Sequence, residues 1–278
     1  MNHLLKFSLL TLLMLSFWSC KQEAESLNSK EENRKKIEMI TNYGTMIIAL
    51  YNETPLHRDN FINLANNNAY DSLLFHRVIN KFMIQGGDPD SRKAQPVDTL
   101  GEGDAPYVVK AEFNDDLFHK KGALAAARED NPEKASSGMQ FYIVQGKVFN
   151  DSLLVRSEKY TNGNKAREYY KNKAQMKPLL DSVQNAMDNG KKERYSKLRD
   201  SILNMAKAEK DFKSYVIPEN YREVYKSIGG TPHLDQNYTV FGEVVKGIEV
   251  LDSIASVKTG TLDRPTMDVR IKTIRLIE

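Results

Sequence analysis

The chain has 278 residues, of which 40% are hydrophobic and 28% are charged, a composition typical of soluble globular proteins rather than disordered chains. Its 40 Lys and Arg residues nearly balance 37 Asp and Glu residues, and the basic residues are scattered along the chain. This charge distribution excludes the dense basic stripe of nucleic-acid-binding proteins, so no nucleic-acid partner is expected.

The N-terminus resembles an export signal. Lys6 precedes an apolar stretch over residues 7–18, which is shorter than the ~20 residues that a lasting membrane span needs. Cys20, the only cysteine, ends this stretch and resembles the residue at which bacterial lipoproteins are cleaved and acylated. We expect a signal peptide over residues 1–19, a lipid anchor on Cys20 and a flexible polar tether over residues 20–35. The alternative is an ordinary secretory signal with an incidental cysteine.

The first folded elements begin after this tether. Short alternating apolar runs at 37–40 and 45–50 flank a turn that contains Gly44, which predicts a β-hairpin. Pro55 follows Thr54 and is suited to the first turn of a helix. Four apolar residues then recur at helical spacing and predict an amphipathic helix: Phe61, Ile62, Leu64 and Ala65.

Strand patterns dominate most of the remaining chain. Six further strands are predicted at 73–79, 82–85, 122–127, 141–145, 238–244 and 269–277. A second helix is predicted at 247–255. Many short strands with two embedded helices favour a closed antiparallel barrel or a sandwich, because closure removes unpaired strand edges.

Residues 151–228 follow a different pattern. Apolar residues recur at helical spacing on both sides of Asn189-Gly190: Leu179, Leu180, Val183 and Met187 before it, and Tyr195, Leu198, Ile202 and Met205 after it. This predicts a helical hairpin, and a third short helix is expected after Pro218. We interpret the segment as a helical insertion between two parts, 36–150 and 229–278, of one mainly β domain.

Two neighbouring segments combine charged, amide and large apolar side chains. Residues 75–79 and 82–88 place an arginine, large apolar side chains and an amide on neighbouring strands. Because side chains alternate between the faces of a sheet, Phe82 would face away from Met83 and Gln85. A bend or a bulge is therefore expected if all three line one groove.

These segments closely resemble the signature of the cyclophilin-type peptidyl-prolyl cis-trans isomerases. The resemblance continues, in the same order, through residues 122–128, 137–143 and 234–242. It implies a closed antiparallel barrel of about eight strands capped by two helices, with an active groove on its outer face. It also implies isomerisation of X-Pro bonds, here in exported proteins during folding.

No cofactor is expected, because rotation about an amide breaks no bond and needs neither a nucleophile nor a metal. Four histidines lack metal-ligand spacing, and no metal site is predicted: His57, His76, His119 and His233. The resemblance assigns the catalytic roles to Arg77, Phe82 and Gln85. Arg77 would donate to the prolyl nitrogen, which gains a lone pair as the amide twists.

The resemblance also implies eight substrate-binding positions, which form the proline slot, orient the substrate or pair with its backbone: Met83, Ala127, Arg128, Gln140, Tyr142, Leu234, Tyr238 and His233. Four of them depart from a common family pattern: Arg128, which replaces a frequent Asn, Tyr142, His233 and Tyr238, which stands where the eukaryotic type has His. Tyr142 stands where Phe is usual, so its hydroxyl must find a partner or water. His233 stands where many members have a larger aromatic residue.

The expected partners are unfolded or proline-containing polypeptides and, through Cys20, a membrane of the bacterial cell envelope, on the periplasmic side or at the outer membrane. A monomer is expected. One alternative is a proline-peptide-binding chaperone or scaffold with weak or no isomerase activity, since an isomerase does not need residues 151–228. Another is a purely structural envelope lipoprotein. Only an insertion that packs beside Arg77 could shape substrate choice.

Overall fold

The structure is a computed structural model, and it describes residues 33–277. The predicted signal peptide, Cys20 and most of the predicted tether lie outside the described residues. Within 33–277, none of the helices combines the length and the apolar character needed to cross a membrane. At the end of the predicted tether, Arg34 lies over the ring of Tyr51 at 4.4 Å and donates to Glu243 at 3.2 Å. The chain therefore contacts the folded part before its first strand begins.

The described residues contain ten strands: β1 (Lys36–Thr41), β2 (Gly44–Leu50), β3 (Arg77–Ile79), β4 (Met83–Gly86), β5 (Val108–Val109), β6 (Ala123–Ala126), β7 (Ser136–Ser137), β8 (Phe141–Val144), β9 (Val240–Lys246) and β10 (Ile271–Leu276). Eight of them form one sheet in the order β10-β1-β2-β9-β6-β8-β4-β3, while β5 pairs with β7. Every pair is antiparallel. The predicted mainly β fold with an eight-stranded antiparallel sheet is confirmed.

The sheet is curled, and backbone hydrogen bonds join its two ends. Leu74, shortly before β3, forms a bridge with Arg270, directly before β10. The N–H of Phe75 donates to the carbonyl of Val269 at 2.8 Å. The inside of the curl holds apolar side chains that are almost fully buried, such as Ile84 at 0% exposure. Burial of this surface is the main stabilising term of the fold.

The same part of the chain contains six α-helices: α1 (Pro55–Asn66), α2 (Asp151–Tyr170), α3 (Lys177–Asp188), α4 (Lys192–Ala208), α5 (Glu219–Ser227) and α6 (Ile248–Ala255). Helices α1 and α6 are the two that pack on the curled sheet, as predicted. Phe61 of α1 stacks on Tyr70 and meets Phe141 of β8 edge to face. These ring contacts add to the area that the helix buries.

Helices α3 and α4 form the predicted pair around Asn189-Gly190. Of the residues that the helical spacing identified, Val183 and Ile202 are fully buried at 0% exposure, whereas Met187 is 46% exposed. The rest of the buried face comes from Ala186, Leu203 and Ala206. Helix α2 has 20 residues and was not predicted, because its buried face is largely small or polar: Ser157, Thr161, Asn162, Gly163 and Ala166. Without an apolar period, the sequence gives no amphipathic signal there.

Helix α5 packs in a small apolar cluster that is separate from the core inside the curl. Tyr225 has 0% exposure and contacts the rings of Phe118 and Phe149. The chain then turns through Gly230, where a Cβ would overlap the carbonyl oxygen of His119 and the ring of Tyr225. Only glycine fits such a close approach. Residues 219–230 therefore pack directly on the segments that precede β6 and follow β8.

His76 makes stability depend on pH. Its ring is 4% exposed, and neither ring nitrogen has a hydrogen-bond partner among residues 33–277. Burial lowers its pKa from 6.5 to about 4. Between pH 6.5 and pH 4 the unfolded chain therefore binds a proton at His76 that the folded chain does not bind. The free energy of unfolding is highest above pH 6.5 and falls as the pH is lowered toward 4. We expect a loss of about 3 kcal/mol in the free energy of unfolding across this range.

Urea unfolding at a series of pH values measures this loss. A His76→Gln variant cannot take up the proton and should show a flatter dependence between pH 6.5 and pH 4. Equal slopes for the two proteins would contradict the assignment to His76.

Candidate active site

A chain of hydrogen bonds fixes the side chain of Arg77. Arg77 on β3 lies opposite Gln85 on β4, and its Nη1 donates to Gln85 Oε1 at 3.3 Å. Gln85 Nε2 donates to Gln140 Oε1 at 2.9 Å. Gln140 is 8% exposed, and its Nε2 donates to the carbonyls of Gly101 and Gly103 at 2.9 and 2.7 Å. Gln85 therefore contacts Arg77 directly, and Gln140 acts on it through Gln85.

The guanidinium itself faces solvent. The side chain of Arg77 is 43% exposed, and its Nε lies 3.5 Å from Oδ2 of Asp263, which is 46% exposed. Ion pairs at such exposure contribute little, because water screens both charges. Arg77 is thus positioned by Gln85 without being confined to an internal ion pair, and the guanidinium can turn toward a bound polypeptide.

The residues of the predicted proline slot belong to an apolar cluster on the same outer face of the sheet. Across β3, β4 and β8, one row of neighbours is Arg77, Gln85 and Tyr142, and the next row is Ile79, Met83 and Val144. Met83 and Tyr142 are 2% and 5% exposed. Two partly buried residues pack against this cluster from neighbouring loops, Phe82 and Leu234. The strand register therefore places the guanidinium beside the predicted proline slot.

Phe82 joins the slot through a turn. Strict alternation separates it from Met83, and the expected bend is the tight β3–β4 turn, in which Lys81 has a φ of 62°. The N–H of Phe82 donates to the carbonyl of Ile79 at 3.1 Å. Strand β4 begins at Met83, one residue later than predicted. Because Phe82 precedes the strand, the alternation of its side chains does not apply to it.

The hydroxyl of Tyr142 has a buried partner. His119 is 1% exposed, and its Nε2 lies 2.9 Å from the Tyr142 oxygen. His119 Nδ1 lies 2.9 Å from Oδ1 of Asp235, which also accepts from the His119 backbone N–H at 3.0 Å. The carboxylate therefore holds the Nδ1–H tautomer, and Nε2 accepts from Tyr142. Burial raises the pKa of Tyr142 well above its usual value, so the hydroxyl stays protonated.

The hydrogen bonds from Tyr142 through His119 to Asp235 form a buried relay. This relay continues to tyrosines of residues 151–228. The other oxygen of Asp235, Oδ2, accepts from the hydroxyls of Tyr225 at 2.7 Å and Tyr215 at 3.2 Å. Sequence reasoning tested His119 only as a metal ligand and gave Asp235 no role. The signal that could have revealed them is Tyr142 itself, since a tyrosine in an apolar slot needs a hydrogen-bond partner.

Tyr142→Phe tests the first link of the relay. Without the hydroxyl, Nε2 of His119 is left without its partner in a buried position, so we expect a loss of about 1–2 kcal/mol in the free energy of unfolding. The apolar ring remains in the slot. Denaturant unfolding measures the loss, and a variant as stable as the natural protein would show that the hydroxyl contributes nothing.

Ala127 and Arg128 directly follow the last residue of β6. The N–H of Ala127 donates to the carbonyl of Gln140 at 2.9 Å, and its carbonyl accepts from Ser137 at 2.8 Å. Both backbone groups of Ala127 are therefore already bonded within the sheet, although the resemblance assigned Ala127 to pairing with the substrate. The Arg128 side chain is 7% exposed, lies 5.0 Å over the ring of Tyr238 and donates to the Asn237 carbonyl at 3.1 Å. It braces the segment that carries Tyr238.

His233 connects the slot to the inserted helices. Its ring stacks on Phe82 with centroids 5.6 Å apart, and its other side meets Tyr160 of α2 edge to face at 6.0 Å. Burial lowers its pKa to about 4, so the ring is neutral at pH 7. The insertion thus packs beside Phe82 and His233 of the predicted slot, while none of its residues lines the cavity that contains Arg77. Sequence reasoning did not identify Tyr160.

Sequence comparisons agree with this geometry. A family model described as "Cyclophilin type peptidyl-prolyl cis-trans isomerase/CLD" matches residues 36–153 and 147–276. A curated protein of Staphylococcus haemolyticus, named "Putative peptidyl-prolyl cis-trans isomerase", is 31% identical over 88% of this chain and 92% of its own length. A Streptococcus pyogenes protein named for a bifunctional phosphatase and isomerase is 30% identical over 91% of this chain, which spans only 41% of that protein.

The fold agrees with solved structures. A cyclophilin-type isomerase of Cryptosporidium parvum superposes with a TM-score of 0.52 at 18% identity, covering 88% of this chain and 98% of that one. The same protein, crystallised in the presence of the dipeptide Ala-Pro, gives a TM-score of 0.50 over 87% of this chain and 99% of that one. With these matches and an arginine set beside an apolar slot, the chain belongs to the family of cyclophilin-type peptidyl-prolyl cis-trans isomerases.

Proposed function

We propose that this chain accelerates isomerisation of X-Pro bonds in exported polypeptides by holding the guanidinium of Arg77 against a twisted prolyl imide. The observation that carries the proposal is the strand register. It sets Arg77, Gln85 and Tyr142 in one row beside Met83 on the outer face. A permanently charged donor and the apolar residues of the predicted slot therefore share one surface.

The reaction needs only such a surface. Rotation about an amide loses resonance and meets a barrier of ~18–20 kcal/mol, and the uncatalysed X-Pro exchange takes tens to hundreds of seconds. At the top of the barrier the prolyl nitrogen is pyramidal and carries a lone pair, which a planar imide lacks. A donor aimed at that nitrogen therefore stabilises the transition state and neither of the planar isomers. Acceleration from ~10⁻² to ~10³ s⁻¹ requires about 7 kcal/mol.

The remaining site residues have supporting roles. Phe82, Met83, Tyr142 and Leu234 would hold the proline ring, whose burial favours binding. Gln85 and Gln140 would keep Arg77 in place through the hydrogen bonds described above. The backbone of Arg128 would pair with the polypeptide as an added strand, which reads backbone rather than side chains. The crystal form of the Cryptosporidium parvum protein with Ala-Pro supports a proline-containing ligand.

The site of action follows from the N-terminal sequence. Cys20 after the apolar stretch supports cleavage and acylation, which would hold the isomerase on a membrane of the cell envelope as a monomer. Replacing Cys20 by serine in the producing bacterium should move the protein from the membrane fraction to the soluble fraction. Retention of Cys20→Ser in the membrane would exclude the anchor.

A protease-coupled assay tests the activity. The purified chain is added to a peptide whose cis X-Pro form resists the protease, and the rate of cleavage after the initial burst is measured. We expect the slow phase to accelerate in proportion to the added chain. A slow phase that stays at the uncatalysed rate would overturn the proposal.

The placement of the insertion favours a second candidate, a holding chaperone. Helix α2 reaches the slot through Tyr160 and His233, so the groove and the helices could bind one unfolded chain together. Suppressed aggregation of an unfolded protein without acceleration of the proline peptide would favour this alternative.

A further inference from the structure

A cavity of about 720 Å³ separates the inserted helices from the sheet. One wall comes from the loop after β6 and the segment before β9, and the other wall comes from α2 and α3. Three residues of the predicted substrate site also line this cavity, Arg128, His233 and Tyr238. A polypeptide with its proline in the slot therefore has the cavity directly beside its neighbouring residues.

The lining carries more available positive than negative charge. Lys134 and Lys165 are half-buried, and burial lowers the pKa of both amino groups, although they remain cationic near neutral pH. Lys134 Nζ contacts the carbonyl of Gln236 at 3.5 Å, and Arg167 contacts the amide of Gln184 at 3.5 Å. Both hydrogen-bond partners are neutral, although the carboxylates of Glu168 and Asp130 act on Lys134 and that of Asp115 acts on Lys165.

One acidic group of the lining is held in buried hydrogen bonds, and two others form ion pairs that are exposed to solvent. Asp235 accepts from His119 and two tyrosines, and its side chain is 3% exposed. Glu168 pairs with Lys171 at 3.2 Å, and Asp181 pairs with Lys177 at 2.8 Å. The remaining one, Asp130, extends into solvent 3.4 Å from Arg128. An anion entering the cavity would therefore relieve the unfavourable burial of cations.

We propose that this cavity is an accessory subsite for an Asp or Glu side chain near the proline of the client polypeptide. The proposal rests on the proposed function, since it places the proline in the slot. The insertion thereby changes an isomerase that reads backbone into one that prefers acidic flanking sequence. Helix α2 supplies both the contact to His233 and the cation Lys165.

Proline peptides that differ in one flanking residue test the subsite. Glu, Gln or Lys is placed at successive positions on either side of the proline, and both kcat/KM and binding by fluorescence anisotropy are measured. At the position that reaches the cavity, Glu should exceed Lys about fivefold in both measurements. High salt should reduce the ratio, because the lining is open to solvent. Equal values at every position would overturn the subsite.

Charge reversal locates the effect. Lys165→Glu should invert the preference while leaving the Gln peptide unchanged, and Lys134→Glu should act in the same direction. Lys272→Glu on β10 makes the same change in net charge at an exposed position and should have no effect. A preference for Glu that both cavity variants leave unchanged would overturn the proposal. If either variant does not fold, the salt dependence of the preference in the natural chain is the deciding measurement. If the natural chain does not accelerate isomerisation of the Gln peptide, the proposed isomerase activity is contradicted. Peptide binding measured by anisotropy tests the subsite independently of that activity.

Discussion

Replacing Arg77 by alanine is expected to lower kcat/KM for a proline peptide by about 10²–10³-fold, the effect of removing one donor that acts on the transition state. The donor is beneficial only while the prolyl nitrogen is pyramidal, so the loss should fall on kcat more than on KM. Stability should change little, because the side chain is 43% exposed.

Two matched variants define the cause. Arg77→Lys keeps the charge but loses the planar fork that bonds Gln85 and a substrate together, so most of the loss should remain. Asp263→Asn removes the exposed ion partner of Arg77, and kcat/KM should stay within about threefold of the natural value. Full activity in Arg77→Ala would remove the residue from the mechanism.

Replacing Asp235 by alanine is expected to lower the free energy of unfolding by about 3–5 kcal/mol, the cost of breaking a buried polar network at a charged member. The carboxylate is 3% exposed and accepts from His119 twice, from Tyr225 and from Tyr215. Alanine would leave these donors in a buried region without their acceptor. Denaturant unfolding measures the loss.

Asp235→Asn is the matched control, because it keeps the size of the side chain and one acceptor oxygen. We expect it to cost less than Asp235→Ala. A Tyr225→Phe variant removes one donor without disturbing the packing of its ring, and its effect should shrink in the Asp235→Ala background. Additive effects of the two changes would show that the relay is not a unit.

Much of the curled sheet follows from local pattern. The hairpin of β1 and β2 lies where apolar alternation and Gly44 place it, and α1 starts at Pro55. Strand ends were less predictable, as β3 begins only at Arg77 while the expected strand starts at residue 73. The preceding residues instead bond to the segment before β10. That pairing joins residues distant in sequence, which local periodicity does not encode.

The candidate site was accessible mainly through family resemblance. Taken alone, an arginine such as Arg77 and an apolar pair such as Phe82 and Met83 are typical of a protein surface and a core. The strand register then explains how they come together, since Arg77 and Met83 face the same side. The turn that brings in Phe82 depends on a positive φ at Lys81, which sequence alternation does not reveal.

The buried relay and helix α2 lay beyond sequence reasoning for different reasons. The relay combines His119, Asp235 and two tyrosines that are close only in the folded chain. Helix α2 buries Thr161, Asn162 and Gly163 where an amphipathic helix would bury large apolar residues. A polar buried face is held by specific hydrogen bonds, such as Asn162 Nδ2 to the Tyr215 carbonyl at 2.8 Å.

The most direct test of the central claim is two-dimensional exchange NMR on an Ala-Pro peptide with a catalytic amount of the chain. If Arg77 stabilises the twisted imide, cis and trans signals should exchange at a rate proportional to the added chain, with their equilibrium ratio unchanged, and Arg77→Ala should remove most of this exchange. Exchange that stays at the uncatalysed timescale of tens to hundreds of seconds would contradict it.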